Sequence, residues 1–327
     1  MQRGDELLAV SPTAAGLDDP ANQIAVMLVN GTLDPSLGSS RPGEMKYFRL
    51  RKPLGGPVDT VMSASAFSLD PVPNATAPII LDAGGGHKVG YLLLRSFVDP
   101  AIDPLRRAIG AFRSAGVTDL IVDFRYNGGG SLEVARTLLN LLRPGPPAGE
   151  VMFEFSFNAF SKGENSKILF GPEPNAFAPG KIAFIVTDRS ASASETVVNA
   201  LQPYYGTSLA LVGGRTYGKP VAMGGYGNPA CDWVLLLVDR QVLNATGTGD
   251  YFGGLPDAHF TGVSIQAADD LNHAMGDPAE ASTAAALNWI ATGANPGPIP
   301  AADQQRPAAN LLHTQPNLVQ TYVPGLF

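Results

Sequence analysis

Apolar positions along the chain fall into two periodicities, which divide it into strands and helices. A near-continuous apolar run, of the kind buried on both faces of a sheet, appears at DLIVDFR (119–125), and KVGYLLLRSF (88–97), KIAFIVTDR (181–189), SLALVGG (208–214) and CDWVLLLVDRQVL (231–243) are further strands. Alternation around Gly55-Gly56 makes KYFRLRKP (46–53) and VDTVMSAS (58–65) a hairpin, and GDELLAV (4–10) is a short strand after a turn. Helical spacing places Leu105, Ala108, Ile109 and Phe112 on one face of a helix over 103–114. Further helices are predicted over 21–29, stopped by Asn30-Gly31, over 131–142, stopped by Pro144-Gly145-Pro146-Pro147, from Glu195 to Leu201, and over 281–292. Strands alternating with helices imply an α/β core. A Pro/Ala stretch, PVPNATAP (71–78), separates a first unit from this core. The expected division is therefore 1–75, 76–293 and a Pro/Gly-rich tail over 294–327. Asp82 and the triple glycine Gly84–Gly86 read as a connector between the first unit and the core.

Composition narrows the function classes. Of 327 residues, 45% are apolar and 16% charged, which favours a sizeable core over disorder. A net charge of −7 argues against a nucleic-acid partner. A single cysteine, Cys231, gives neither a disulfide framework nor a thiolate metal cluster, so no metal is expected. No run approaches the ~20 apolar residues of a membrane span, and the first residues lack the shape of a signal peptide. Gly213, Gly218 and Lys219 match the first part of a phosphate-binding loop, but Pro220 stands where that loop needs Ser or Thr for magnesium. No nucleotide or other cofactor is expected.

Candidate chemistry begins at TDRSASASETVVNAL (187–201), where three serines alternate with alanines between a strand and a helix. A serine at such a turn can be exposed beside the free N–H groups of the helix start. Ser192 with Glu195 also fits a capping box, and from this stretch alone the cap is the commoner use. The four histidines lie in no motif with a serine, so lysine is the alternative base, and Lys219 has apolar and glycine neighbours. The glycines of FRYNGGGS (124–131), between a buried strand and a helix, can aim an N–H at a developing oxyanion or simply form a turn.

These blocks resemble the peptidases of family S41, the tail-specific or C-terminal-processing proteases. DFRYNGGGSL is similar to their LDLRNNPGG motif, TDRSASASETVVNAL to their SASASE block, and VGGRTYGKPV to their GE-TFGKG block. GYLLLRSF (90–97) and GGLPDAHF (253–260) resemble two further signatures, in the family's order. The resemblance covers roughly 1–75 and 85–292. It implies a ClpP/crotonase-like core of ββα units preceded by the C-terminal half of a PDZ-like domain whose beginning is missing. It implies Ser192 as nucleophile, Lys219 as general base, Glu195 beside the pair, and Ala193 with Gly129 as oxyanion donors. The expected activity is serine endopeptidase cleavage of polypeptides, processing or degrading exported proteins outside the bacterial cytoplasm, in the periplasm or secreted, with the export signal outside this chain. A homo-oligomer remains open. Two departures stand out: Gly128 replaces a proline, and Met223 stands where many members carry a glutamine that steadies the lysine. A weak or inactive peptide- or ligand-binding module is therefore the runner-up, and a crotonase-type acyl-CoA enzyme a third reading.

Overall fold

A computed structural model describes residues 1–33, 37, 41–53, 55–159, 161–227 and 233–294. Its described residues fold into two compact units, one built from Met1–Leu69 with Asp270–Ala274, the other from Asp70–Asp269 with residues 275–294. Val72 and Ala75 are buried in the core of the second unit.

The first unit is a three-stranded antiparallel sheet, β1 (Glu6–Ser11), β2 (Met45–Arg51) and β3 (Pro57–Ser63), in that spatial order. Helix α1 (Ile24–Asn30) ends at Gly31 in a left-handed conformation, the usual residue for that stop. A small core of Val10, Met27, Leu33, Phe48 and Leu50 joins the helix to the sheet.

The second unit is built on a six-stranded sheet in the order β13-β10-β9-β6-β5-β4. These strands are β4 (Ile79–Asp82), β5 (Lys88–Leu93), β6 (Asp119–Asp123), β9 (Ile182–Val186), β10 (Leu209–Gly213) and β13 (Val263–Gln266). All neighbours run parallel except β4, which folds back on β5 as a hairpin. Residues of alternate parity serve the two faces. Leu92, Leu120, Val122, Phe184 and Leu211 pack with helices α2 (Ile102–Ser114), α3 (Leu132–Leu142) and α4 (Ala193–Tyr205). Tyr91, Ile121, Ala183, Ile185 and Val212 pack with α5 (Ala281–Thr292). This two-sided burial is why the parallel strands read as unbroken apolar runs. Every predicted helix is present, and α4 starts two residues earlier than expected and continues through Pro203.

One expectation is corrected. Gly84–Gly86 is not a connector: it forms the tight β4–β5 turn inside the second unit, with Ala83 N–H donating to His87 O at 2.9 Å. A second, four-stranded antiparallel sheet has only one strand, β12, that the sequence pattern predicts: β11 (Val221–Gly227), β12 (Val234–Leu243), β7 (Val151–Phe157) and β8 (Ser166–Leu169), in that order. The predicted strand over 231–243 is seen from Val234; Cys231 and Asp232 lie outside the described residues, as does the tail from 295.

Candidate active site

Three connections leave the same edge of the large sheet, the C-terminal ends of β6, β9 and β10. This edge is where open α/β sheets gather their ligand-binding loops. The first holds Asn127–Gly130, the second the serine block, the third Thr216–Lys219.

The serine block is fastened to the turn after β6. Ser190 Oγ donates to Phe124 O at 2.7 Å and accepts from Thr187 N–H at 3.0 Å. Ser194 Oγ donates to Asn127 O at 2.9 Å, and Ala191 N–H donates to the same oxygen at 3.1 Å. Two of the three alternating serines are thus buried structural groups. Ser192 differs in backbone. It precedes α4 at φ 55°, ψ −116°, whereas an ordinary N-cap is extended. A non-glycine residue held there is strained, and such strain clusters at functional sites.

Glu195 joins the second connection to the third. It is fully buried, and its carboxylate accepts four hydrogen bonds. Oε1 takes Thr216 Oγ1 at 2.6 Å and Gly218 N–H at 2.7 Å. Oε2 takes Ser192 N–H at 2.9 Å and Lys219 N–H at 2.8 Å. Burial pushes this carboxyl above its ordinary value, and the hydrogen bonds from Thr216 and the three main-chain N–H groups oppose that shift. Lys219 is half-buried. Burial pulls its ammonium below the ordinary lysine value, and the charge of Glu195 acts in the opposite sense. The ammonium forms no ion pair among the described residues.

The glycine turn closes against the serine block. A Cβ on Gly129 (φ 101°) would lie 2.8 Å from Ala191 O, Ala193 N and Ser192 Cβ, so only glycine fits. Ala193 is buried at the first position of α4, where an N–H has no partner within the helix. The Gly129 N–H, by contrast, already donates to Asn127 Oδ1 at 2.9 Å. Asn127 was missed as a separate residue within the NGGG motif. It is fully buried, and its Nδ2 donates to Leu94 O at 2.7 Å. Thr216 was missed too, having no signal beyond its place in the lysine block. Arg125 anchors the turn from below, buried between Asp123 at 2.6 Å and Glu280 at 2.7 Å.

His87 pairs with Asp119 at the opposite end of β6 from the glycine turn. His259 is exposed, and His313 lies outside the described residues. Among the described residues no cluster of His, Cys, Asp and Glu could hold a metal ion.

Residues 88–248, which contain all three connections, match the family model "Peptidase family S41". That segment belongs to peptidase family S41. The chain is similar to the carboxyl-terminal-processing peptidase 3, chloroplastic, of Arabidopsis thaliana, with 25% identity over 67% of this chain and 39% of that protein. It is also similar to the carboxyl-terminal-processing protease of Synechocystis sp., with 28% identity over 50% of this chain and 35% of the relative. The chain thus matches about two fifths or less of the length of these curated relatives. Among solved structures, a protein of Bacteroides fragilis described as a candidate S41 protease superposes with a TM-score of 0.67 at 25% identity, over 90% of this chain and 74% of that one. The photosystem II D1 C-terminal processing protease shares the fold, with a TM-score of 0.52 at 16% identity over 88% and 68% of the two chains. No helix among the described residues is long and apolar enough to cross a membrane.

Proposed function

We propose that this chain is a serine endopeptidase working through a Ser192–Lys219 dyad. The observation that carries the reading is the single carboxylate of Glu195, which holds the main chain of both residues. Ser192 Oγ attacks a peptide carbonyl carbon and passes its proton to neutral Lys219 Nζ. The C–N bond then breaks, Lys219 returns the proton to the leaving amine, and water hydrolyses the resulting ester. The direction of the Lys219 shift supports this role, because only the neutral amine can accept a proton. Ala193 N–H receives the oxyanion. Gly129 is the second donor only to the extent that it shares its N–H with Asn127, so Ala193 carries the larger part. Glu195 is a positioning residue. Its bonds to Ser192 and Lys219 are to their main-chain N–H groups, so the carboxylate ties down neither the hydroxyl nor the amine.

The sheet with its helices is the ClpP/crotonase-like core, and the three-stranded first unit with α1 is a partial PDZ-like domain. The substrates are polypeptides, processed or degraded outside the cytoplasm of a bacterium. The names of the carboxyl-terminal-processing relatives support polypeptide substrates. A weak, peptide-binding relative is the second reading, favoured by half-buried Met223 in β11, whose thioether is a poor partner for an ammonium. The full chain, incubated with an unfolded protein and separately with a fluorophosphonate, decides between them. Cleavage and a single adduct on Ser192, both lost in Ser192→Ala, are expected. Peptide binding with neither would leave the second reading standing.

A further inference from the structure

The second sheet leaves a surface unfinished. Strand β12 pairs with β7 only from Arg240 to Leu243. Beyond that, among the described residues, Val234–Val238 pairs on one side alone, with β11. The two strands project as a ribbon. Six consecutive residues, Trp233 to Val238, are each 46–67% exposed, and Tyr226 on β11 is 46% exposed. Side chains of a strand alternate between faces, so both faces of this ribbon are apolar. The reason lies across the ladder. Val234, Leu236 and Leu237 face Gly227, Gly225 and Gly224, which have no side chains to cover them.

We propose that this ribbon is the interface with a second copy of the chain, formed by antiparallel pairing of the free β12 edges about a two-fold axis at Leu236. The exposed side chains of Trp233–Val238 and Tyr226 amount to on the order of 700 Å², against the ~800 Å² each partner gives to a standard interface. Pairing about Leu236 sets Val234 opposite Val238 and Leu235 opposite Leu237 of the second copy. Trp233–Val238 carries no charged residue, so the pairing sets no charge opposite another. The interface is isologous and closes on itself. Lipid fits less well. An open strand edge brings unpaired N–H and C=O groups that hydrocarbon cannot satisfy, whereas a second strand pairs them all.

Sedimentation velocity of the full chain, from about 1 to 100 µM, should show a monomer giving way to a dimer as concentration rises. The double variant Leu235→Asp/Leu237→Asp should stay monomeric throughout with an unchanged thermal midpoint. As an arm independent of folding in that variant, Leu236→Cys in a Cys231→Ser background should oxidise to a disulfide-linked dimer, because a residue on the axis meets itself within disulfide reach. Val234→Cys in the same background should not. A wild-type monomer at every concentration overturns the proposal, whether or not it binds phosphatidylcholine vesicles. So does a dimer that survives both aspartates, or crosslinking at Val234 rather than Leu236.

Discussion

Ser192 and Lys219 hang from one oxygen: Glu195 Oε2 accepts the main-chain N–H of both, at 2.9 and 2.8 Å. Because that carboxylate is buried and every bond to it is a donor, no substitution can replace it quietly. Glu195→Gln turns one acceptor into an N–H₂ facing donors, and Glu195→Ala leaves three N–H groups and a hydroxyl unpaired. Each buried orphan costs about 1–3 kcal/mol. Urea midpoints should fall in both variants, and cleavage should fall at least about 100-fold in kcat. A glutamine variant with native kcat would remove Glu195 from the positioning role.

The three serines should separate cleanly. Ser192→Ala is expected to abolish cleavage while leaving the urea midpoint near native. Ser190→Ala and Ser194→Ala should do the reverse, each losing about 1–3 kcal/mol as Phe124 O or Asn127 O is left without its donor. The comparison is one of residual rate against folding free energy. An active Ser192→Ala enzyme would end the assignment.

Lys219 should set the acid limb of the pH–rate profile. Its folded-state value is depressed, so kcat/KM should rise with pH with a midpoint below the ~10.4 of a free lysine. Lys219→Arg and Lys219→Ala should both be inactive, since a guanidinium does not surrender its proton. The stability sign follows from the same depression. Between the folded and unfolded values the unfolded chain holds more protons, so this group's contribution to stability rises with pH across that window. Lys219→Met removes the buried charge and should be dead yet no less stable at neutral pH. A strongly destabilised, active Lys219→Met would contradict both halves.

Gly129→Ala should be the most damaging small change in the turn. Its Cβ would sit 2.8 Å from the backbone on both sides of Ser192, at a φ of 101°. Strain of this kind costs on the order of 1–3 kcal/mol, and relieving it must open the serine turn. Cleavage should drop with kcat rather than KM, alongside a lowered thermal midpoint. An unchanged kcat would mean the turn does not govern the geometry of Ser192.

The parallel strands β5, β6, β9 and β10 were legible because burial on both faces leaves an apolar run with nothing to confuse it, whereas the short parallel strand β13 was not. Of the second sheet, only β12 was. In β7, Phe153, Phe155 and Phe157 do alternate with polar residues, but their partners lie on β8 and on β12, more than eighty residues on. The alternating serines gave the right element and concealed the division of labour. Nothing in Ser-Ala-Ser-Ala-Ser tells which hydroxyl will find Phe124 O or Asn127 O, sixty-odd residues upstream. Glu195 was legible as a neighbour of the site. Its second role, gripping the third connection through Thr216, Gly218 and Lys219, exists only once the chain has folded.

The backbone at Ser192 asks for a residue other than the one it has. A φ of 55° with a ψ of −116° is glycine's territory, so Ser192→Gly should raise the melting temperature even as it removes the hydroxyl. A lineage released from its chemistry would drift toward that glycine, each generation gaining durability and losing nothing it still used. Keeping a side chain there therefore amounts to a standing tax on stability, and it makes the identity of residue 192 a gauge of whether a relative of this chain still works for its living.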